Sequence, residues 1–221
     1  MTMIEKEWAE RVRASVATRT PLCLRGGGSK DFFGCTLAGE RFDLRANRGV
    51  VAYEPTELVV TVCAGTPLAE LEAVLADKGQ YLAFEPPHFG PGATVGGCVT
   101  AGLSGPRRAS AGAVRDFMLG VKLLDGRGEV LRFGGQVMKN VAGYDVSRLV
   151  AGSLGTLGIL LEVSLKVLPR PVAEATLRFE LDEASALQRV NEWGGQPLPV
   201  SATLWQHGVL HLRLSGAEAA V

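Results

Sequence analysis

Three consecutive glycines follow directly on a short apolar run in PLCLRGGGSK, residues 21–30. Glycine permits positive φ angles, so a strand that leads into such a loop can point several backbone N–H groups at one place. A concavity of this kind binds anions, above all phosphate, with Ser29 as a further donor and Arg25 or Lys30 as a charge. An ordinary tight turn is the alternative. The glycine spacing matches neither the Walker phosphate-binding motif G-x-x-x-x-G-K-[ST] nor the dinucleotide-binding motif G-x-G-x-x-G.

Glycine is abundant along the whole chain, with 28 of 221 residues, while 47% of the residues are hydrophobic. That hydrophobic fraction excludes disorder, so the glycines must serve backbone geometry or close approach. They are densest in GPGATVGGCVTAGLSGPRR, residues 90–108. Each glycine costs a helix about 1 kcal/mol relative to alanine, so we do not expect all of them to be helical. A backbone packed against a dinucleotide and a buried loop packed on a sheet explain this stretch equally well.

Charge and cysteine usage limit the class of protein. The 23 basic and 23 acidic side chains cancel, whereas nucleic-acid and membrane-surface binding rely on a basic excess. The longest apolar run, residues 154–168, is interrupted by Glu162 and Lys166, and the charged N-terminus lacks the apolar core of a secretory signal. The four cysteines form no C-x-x-C pair, so we expect a reduced, cytoplasmic protein.

Apolar periodicity predicts helices over 5–17 and 67–78, and strands over 22–24, 50–53, 58–63, 117–124, 129–133 and 161–168. Thr66 is the expected N-cap of the second helix, with Pro67 at its first position. A hairpin turn is expected at 125–128, and Asp145 is the expected cap of a short helix ending near Gly152. The last strand alternates apolar residues with Glu162 and polar neighbours, which predicts burial on one face only.

The order of predicted strands and helices changes after Pro171. A strand over 175–181, a helix capped by Asp182 and strands near 200–205 and 209–214 form a β-α-β-β series, the first part of a ferredoxin-like unit. Ser215 and Glu218 have capping-box spacing, so a further helix is expected to begin there, just before the last residue. We therefore expect one domain over 1–171 and an incomplete α+β domain over 172–221 of a truncated chain.

Three stretches together resemble a known family: RGGGSK at 25–30, GATVGGCVTAGLSGPRR at 92–108 and residues 134–171, which contain KNVAGYDVSRL and GSLGTLG. They resemble the FAD-binding domain of the vanillyl-alcohol oxidase/p-cresol methylhydroxylase superfamily, and the resemblance extends to the FAD-binding subunits of bacterial glycolate oxidases. It implies an α+β fold, in which a two-subdomain FAD-binding domain of this type is followed by the start of a ferredoxin-like cap domain.

The positions that the resemblance assigns to FAD are Arg25, Gly26, Gly27, Gly28, Ser29, Lys30, Gly92, Ala93, Thr94, Gly96, Gly97, Thr100, Ala101, Gly102, Gly112 and Ile159. The first loop would bind the pyrophosphate through backbone N–H groups. Residues 92–97 would lie along the isoalloxazine or ribityl chain, and 100–102 along the ribityl–pyrophosphate part. Gly112 would add a backbone contact, Ile159 would meet the adenine end, and residues 139–145 would border the flavin edge. Gly27→Val is expected to abolish FAD retention without disturbing the apoprotein.

The chain also departs from its apparent relatives. Many of them tether FAD through a His or Cys in the first loop, which holds neither here, so non-covalent FAD is expected. The metal-binding H-G-D-G motif of related 2-hydroxy-acid dehydrogenases is absent, and His207 and His211 alone do not close a metal site, so no metal is expected. His88 is either a flavin neighbour or a plain loop residue. No catalytic residue can be named from the sequence.

The resemblance implies an FAD-dependent oxidoreductase acting on CH–OH donors, oxidising glycolate to glyoxylate within a complex. The resemblance also implies two partners, a second flavin subunit and an iron–sulfur subunit. This chain has no cysteine cluster with which to hold an iron–sulfur cluster itself. The complex would be cytoplasmic, without a membrane span, and would meet the inner face of the membrane only through partners. Two alternatives stay open: a self-sufficient FAD-dependent 2-hydroxy-acid dehydrogenase, and a scaffold subunit without its own catalysis.

Overall fold

The computed structural model describes residues 1–34, 38–135 and 144–221. The helices are α1 (Met3–Thr18), α2 (Leu68–Ala76), α3 (Val95–Ala101), α4 (Arg108–Ala111), α5 (Val146–Leu149) and α6 (Glu183–Gly194). The strands are β1 (Leu22–Arg25), β2 (Glu40–Asp43), β3 (Val50–Glu54), β4 (Val59–Cys63), β5 (Gln80–Tyr81), β6 (Met118–Leu124), β7 (Val130–Gly134), β8 (Ile159–Lys166), β9 (Leu168–Pro169), β10 (Ala173–Glu180), β11 (Val200–Gln206) and β12 (Val209–Gly216). Within these ranges, no helix has the length and apolar character needed to cross a membrane.

The largest sheet is antiparallel, with strand order β3-β4-β8-β6-β7. The predicted hairpin is confirmed: β6 and β7 pair around a turn in which the Asp125 carboxylate accepts hydrogen bonds from the N–H groups of Arg127 and Glu129. The apolar face of α2 packs on this sheet together with α3, and Leu68, Leu71 and Leu75 have no exposed surface. This packing fixes α3 beside the ends of the central strands.

The apolar face of β8 is buried as predicted, but its polar face is largely covered as well, with Ser164 buried and Glu162 only 15% exposed, so the prediction of burial on one face only is wrong at Ser164. It lies between β4 and β6, where the hydroxyl groups of Ser164 and Thr61 are 2.8 Å apart. Lys122 of β6 donates hydrogen bonds to Glu162 of β8, at 2.9 Å, and to Glu5 of α1. The side chains of Lys122 and Glu5 are only 7% and 2% exposed. Long-range partners therefore make polar residues compatible with a central strand.

Helix α1 closes the edge of this core. Thr2 and Glu5 form a capping box at its start, and Trp8 packs edge-on against Phe42 of β2 with 5.5 Å between ring centroids. The parallel pair β1–β2 is thereby held between α1 and the ends of the central strands. This arrangement determines where the chain leaves β1 for the glycine loop.

The predicted cap of α2 is wrong. The Thr66 hydroxyl accepts a hydrogen bond from the N–H of Gly49 at 2.8 Å and donates to the Gly49 carbonyl at 3.3 Å. Pro67 occupies the N-cap position, and no side chain caps the helix. Because Thr66 ties two loops together, a tertiary contact overrides the local capping signal.

The predicted β-α-β-β series after Pro171 is confirmed as β10, α6, β11 and β12. Their sheet has the antiparallel order β10-β12-β11, so the third strand lies between the first two, as in a split ferredoxin-like unit. The predicted capping box at Ser215 is wrong, since Ser215 belongs to β12 and its hydroxyl donates to Glu174 at 2.8 Å. A 3₁₀ turn, Glu218–Ala220, follows instead. The domain limits at 171 stay a prediction.

An ion pair joins this sheet to the rest of the protein. Arg213 of β12 donates to Glu85 at 2.6 Å, and the second carboxylate oxygen of Glu85 accepts from the N–H of Arg107 at 2.9 Å. Glu85 has a φ of 50°, in the left-handed region. A non-glycine residue there costs free energy, so the surrounding contacts must impose the conformation.

Lys122→Met is expected to lower the free energy of unfolding by about 3 kcal/mol, because it leaves the buried carboxylate of Glu5 without its cation and removes the closer cation of the partly buried Glu162. Urea unfolding monitored by circular dichroism measures this loss of stability.

Burial favours a higher pKa for Glu5, but hydrogen bonds from Lys122 and Thr2 hold that pKa below 4.5. The contribution of Glu5 is therefore complete above pH 4.5 and is lost as the pH falls through the lowered pKa.

Arg132→Gln is the control, since Arg132 is 70% exposed and lies 3.8 Å from Glu162. Arg132→Gln is expected to lower the free energy of unfolding by less than about 1 kcal/mol. Equal stability of the two variants would contradict the assignment of Lys122 as the cation that α1 and β8 share.

Candidate functional site

The glycine loop leaves β1 with a row of free backbone donors. The Arg25 carbonyl still accepts from the N–H of Leu44 at 2.9 Å, which extends the β1–β2 pair. Beyond it, the backbone N–H groups of residues 26–30 have no hydrogen-bond acceptor among the described residues. Backbone donors in a folded protein are nearly always paired with protein, water or ligand. Five in succession beside a cleft fit the predicted anion-binding concavity, whose role stays a prediction.

The loop rests on the segment before α3, backbone against backbone. A Cβ atom on Gly27 would lie 1.4 Å from the carbonyl oxygen of Gly92, and one on Gly26 would lie 2.5 Å from Oγ1 of Thr94. Both glycines are therefore required by the protein's own packing. The expectation that Gly27→Val would spare the apoprotein is wrong, because any side chain at position 27 must displace the residue 92 backbone.

The glycine-rich stretch 90–108 contains the short helix α3, which includes only Gly96 and Gly97, in agreement with the expectation that not all of these glycines are helical. Thr94 caps α3 by accepting from the N–H of Gly97 at 3.2 Å. A Cβ on Gly96 would lie 2.8 Å from the Cβ of Ala64, and the N–H of Gly96 donates to the Ala64 carbonyl at 2.7 Å. Close packing on the loop after β4 thus outweighs helix propensity here.

A third segment, residues 152–158, closes the cleft beside α3. The N–H groups of Gly152 and Leu154 donate to the carbonyls of Val99 and Thr100 at 3.0 and 2.9 Å. Gly155 has a φ of 80° and lies against Leu24 of β1. The three stretches singled out in the sequence therefore meet around one cleft.

The cleft encloses about 1080 Å³, including space open to solvent. The predicted positions that line it are Arg25, Gly26, Gly27, Gly28, Ser29, Lys30, Thr94, Gly96, Gly97, Thr100, Ala101 and Ile159. The lining residues that sequence analysis missed are Leu24, Asp31, Phe33, Gly34, Leu44, Ala64, Leu154, Gly155, Gly158 and Leu160. Leu154, Gly155 and Gly158 had a signal, since they belong to the string GSLGTLG, whereas the others are ordinary apolar or loop residues.

Four predicted positions lie outside the cleft lining. Gly92 lies under the loop, and Ala93 is buried, with its carbonyl accepting from the N–H of Leu68 at 2.8 Å. Gly102 ends α3 with a φ of 68°, and Gly112 follows α4 with a φ of 99°. Their assignment to FAD stays a prediction.

The predicted flavin-edge segment is described only from residue 144 onwards; Lys139 and Asn140 lie outside the described residues. Tyr144 is 96% exposed. Asp145 caps α5 as predicted, accepting from the N–H of Arg148 at 3.1 Å. His88 pairs with Glu72 at 2.9 Å and is not among the residues that line the cleft.

Lys30 brings a cation without a carboxylate partner into the cleft. Burial lowers the pKa of its ammonium group, whose Nζ lies 5.8 Å from the centre of the Phe89 ring. No carboxylate lies within 4.0 Å of it in the part of the chain that the structure describes. The unpaired donors of the loop, the absence of side chains at residues 26–28 and this cation together fit a pyrophosphate group.

Comparison with known proteins agrees with this geometry. The sequence profile of the family described as FAD binding domain matches residues 4–134, more than half of the chain. "Glycolate oxidase subunit GlcE" of Escherichia coli (strain K12) is 50% identical over 212 residues, which are 96% of this chain and 61% of that protein. "Glycolate oxidase subunit GlcD" of Bacillus subtilis (strain 168) is 30% identical over 72% of this chain and 34% of that protein. The chain thus spans less than two thirds of these relatives.

A solved structure shows the same fold. The alkyldihydroxyacetonephosphate synthase structure superposes with a TM-score of 0.74 over 96% of this chain and 46% of that chain, at 19% sequence identity. The predicted α+β fold of the vanillyl-alcohol oxidase/p-cresol methylhydroxylase type is therefore confirmed. With the family match over 4–134, the chain belongs to the FAD binding domain family, and its cofactor is FAD.

Proposed function

We propose that this chain is the FAD-binding subunit of a glycolate oxidase or dehydrogenase complex that oxidises glycolate to glyoxylate. The observation that carries the proposal is the 50% identity, over 96% of the chain, to a protein named as a glycolate oxidase subunit. The cleft supports it, because its loop, α3 and the 152–158 segment provide donors and space for a dinucleotide cofactor.

The residues of this chain would bind and orient the cofactor. The N–H groups of residues 26–30 and the ammonium of Lys30 would hold the pyrophosphate, and α3 would flank it. The described lining contains neither His nor Cys, which supports non-covalent binding. Bound FAD supplies an acceptor for the electron pair that leaves the CH–OH carbon.

The described lining of the cleft offers no free carboxylate to act as a base, which supports a subunit that needs partner proteins for substrate oxidation. This described lining has one carboxylate, Asp31, and that group is paired with Arg25. A base that removes a proton from substrate would then come from elsewhere in the complex. We propose a second flavin subunit, as the similarity to a GlcD protein supports, and an iron–sulfur subunit. The complex would be cytoplasmic, meeting the membrane only through its partners.

A self-sufficient FAD-dependent 2-hydroxy-acid dehydrogenase is the second candidate. "D-lactate dehydrogenase [cytochrome], mitochondrial" of Arabidopsis thaliana is 33% identical over 64% of this chain and 25% of that protein. That enzyme's name, unlike those of the two glycolate oxidase relatives, does not call it a subunit.

Assembly of the complex with and without this subunit separates the two candidates. We expect glycolate-dependent reduction of an artificial electron acceptor only when the subunit is present together with its partners. Full activity of the partners without this subunit would contradict the proposal, and steady glycolate turnover by this subunit alone would favour the second candidate.

Lys30→Met is expected to weaken binding of FAD and of ADP about tenfold, the amount typical of one charge-assisted contact to phosphate. Binding of riboflavin, which has no phosphate, is expected to stay unchanged. Titration calorimetry measures all three ligands, with Lys78→Met, a change at an exposed lysine of the α2–β5 connection, as the control. An equal loss of riboflavin and FAD affinity would contradict the placement of Lys30 at the pyrophosphate.

A further inference from the structure

The two ends of the glycine loop are joined by a forked ion pair. Nε of Arg25 lies 3.1 and 2.9 Å from the two carboxylate oxygens of Asp31, and Nη2 bonds to the second of these oxygens. Parallel bonds of this kind fix the relative orientation of the two groups, as a single contact cannot. The pair therefore closes the segment 25–31 into a ring of defined shape.

The guanidinium of Arg25 also lies directly against Gly28. A Cβ atom on Gly28 would be 2.0 Å from Nη2 and 2.4 Å from Cζ of Arg25. Gly28 has a φ of 75°, and its carbonyl accepts from the N–H of Asp31 at 3.2 Å. Arg25, Gly28 and Asp31, spaced three residues apart, thus form one unit that bends the loop between them.

This pairing changes the expected role of Arg25. Its hydrogen bonds lower the pKa of the Asp31 carboxyl, so the pair is an ionised arginine and carboxylate with no net charge at neutral pH. Lys30 then remains as the cation of the described cleft lining that has no carboxylate partner. The sequence had assigned Arg25 to the cofactor as a source of charge.

We propose that Arg25 and Asp31 are positioning residues: their ion pair holds the N–H groups of residues 26–30 in the arrangement that binds the FAD pyrophosphate. The inference rests on the proposed FAD site, and it explains what holds the loop of that site in its binding conformation. A loop held in its binding conformation loses less conformational freedom when the ligand arrives, so the ion pair raises affinity without touching the phosphates.

Asp31→Asn separates this role from direct charge attraction, because the two predict opposite signs. If Arg25 served as a cation for phosphate, removing the Asp31 carboxylate would free it and strengthen FAD binding. If the pair positions the loop, Asp31→Asn weakens FAD binding about tenfold. Arg25→Lys is expected to do the same, since an ammonium cannot form the fork. The double variant is expected to lose little more than either single variant.

The measurement is quenching of FAD fluorescence by the purified full chain, with riboflavin as a second ligand and the melting temperature of the apoprotein as a third readout. We expect unchanged riboflavin binding and melting temperature in Asp31→Asn, and partial recovery of FAD affinity in Asp31→Glu, which retains the carboxylate. Glu70→Gln is the matched control, because Glu70 forms an exposed pair with Arg48 outside the cleft.

The outcomes distinguish the inference from the proposal beneath it. Normal FAD binding by the parent with equal or tighter binding by Asp31→Asn would overturn the positioning role alone. Absence of FAD binding in the parent would overturn the pyrophosphate site and the positioning role together. Weaker FAD binding by Asp31→Asn could also come with a lower apoprotein melting temperature and weaker riboflavin binding. That result would overturn the positioning role, because it would mean that the substitution destabilises the whole protein.

Discussion

The candidate site depends on one contact, in which the backbone of the glycine loop lies directly on the backbone before α3. Residues 27 and 92 approach so closely that neither has room for a Cβ atom. The contact brings the end of β1 to the start of α3, and α3 in turn holds the 152–158 segment through its carbonyl groups. Three stretches that are distant in sequence therefore share one cleft. Glycine is required for this assembly before any ligand binds.

The glycine loop after β1, with its row of free backbone donors, could be predicted from sequence because its causes are local: an apolar strand followed by three glycines. The hairpin at 125–128 and the cap at Asp145 are local in the same sense. Helix α3 was missed because propensity weighs each glycine by itself, while the helix forms through contact with Ala64. The burial of the polar face of β8 was missed for a similar reason, since Lys122 and Thr61, which satisfy its polar residues, lie far away in sequence.

Local capping rules failed where a hydroxyl had a distant partner. Thr66 and Ser215 both stand at the head of a helix-like pattern, yet Thr66 joins two loops and Ser215 lies in a strand against Glu174. The same limitation applied to Arg25, whose interaction with Asp31 depends on the fold of the loop. Residue type and spacing thus located the site, whereas the role of each side chain followed only from its partners.

If the loop of residues 26–30 forms part of an FAD site, the visible absorption spectrum of the purified protein will show the bound flavin. After incubation with FAD and removal of unbound cofactor by gel filtration, we expect flavin bands to persist with the protein, and the flavin to be released intact by denaturation. The melting temperature should also rise, since a hundredfold excess over Kd adds about 2.7 kcal/mol to stability. A protein without flavin bands, whose melting temperature does not respond to FAD, would rule out an FAD site at this loop.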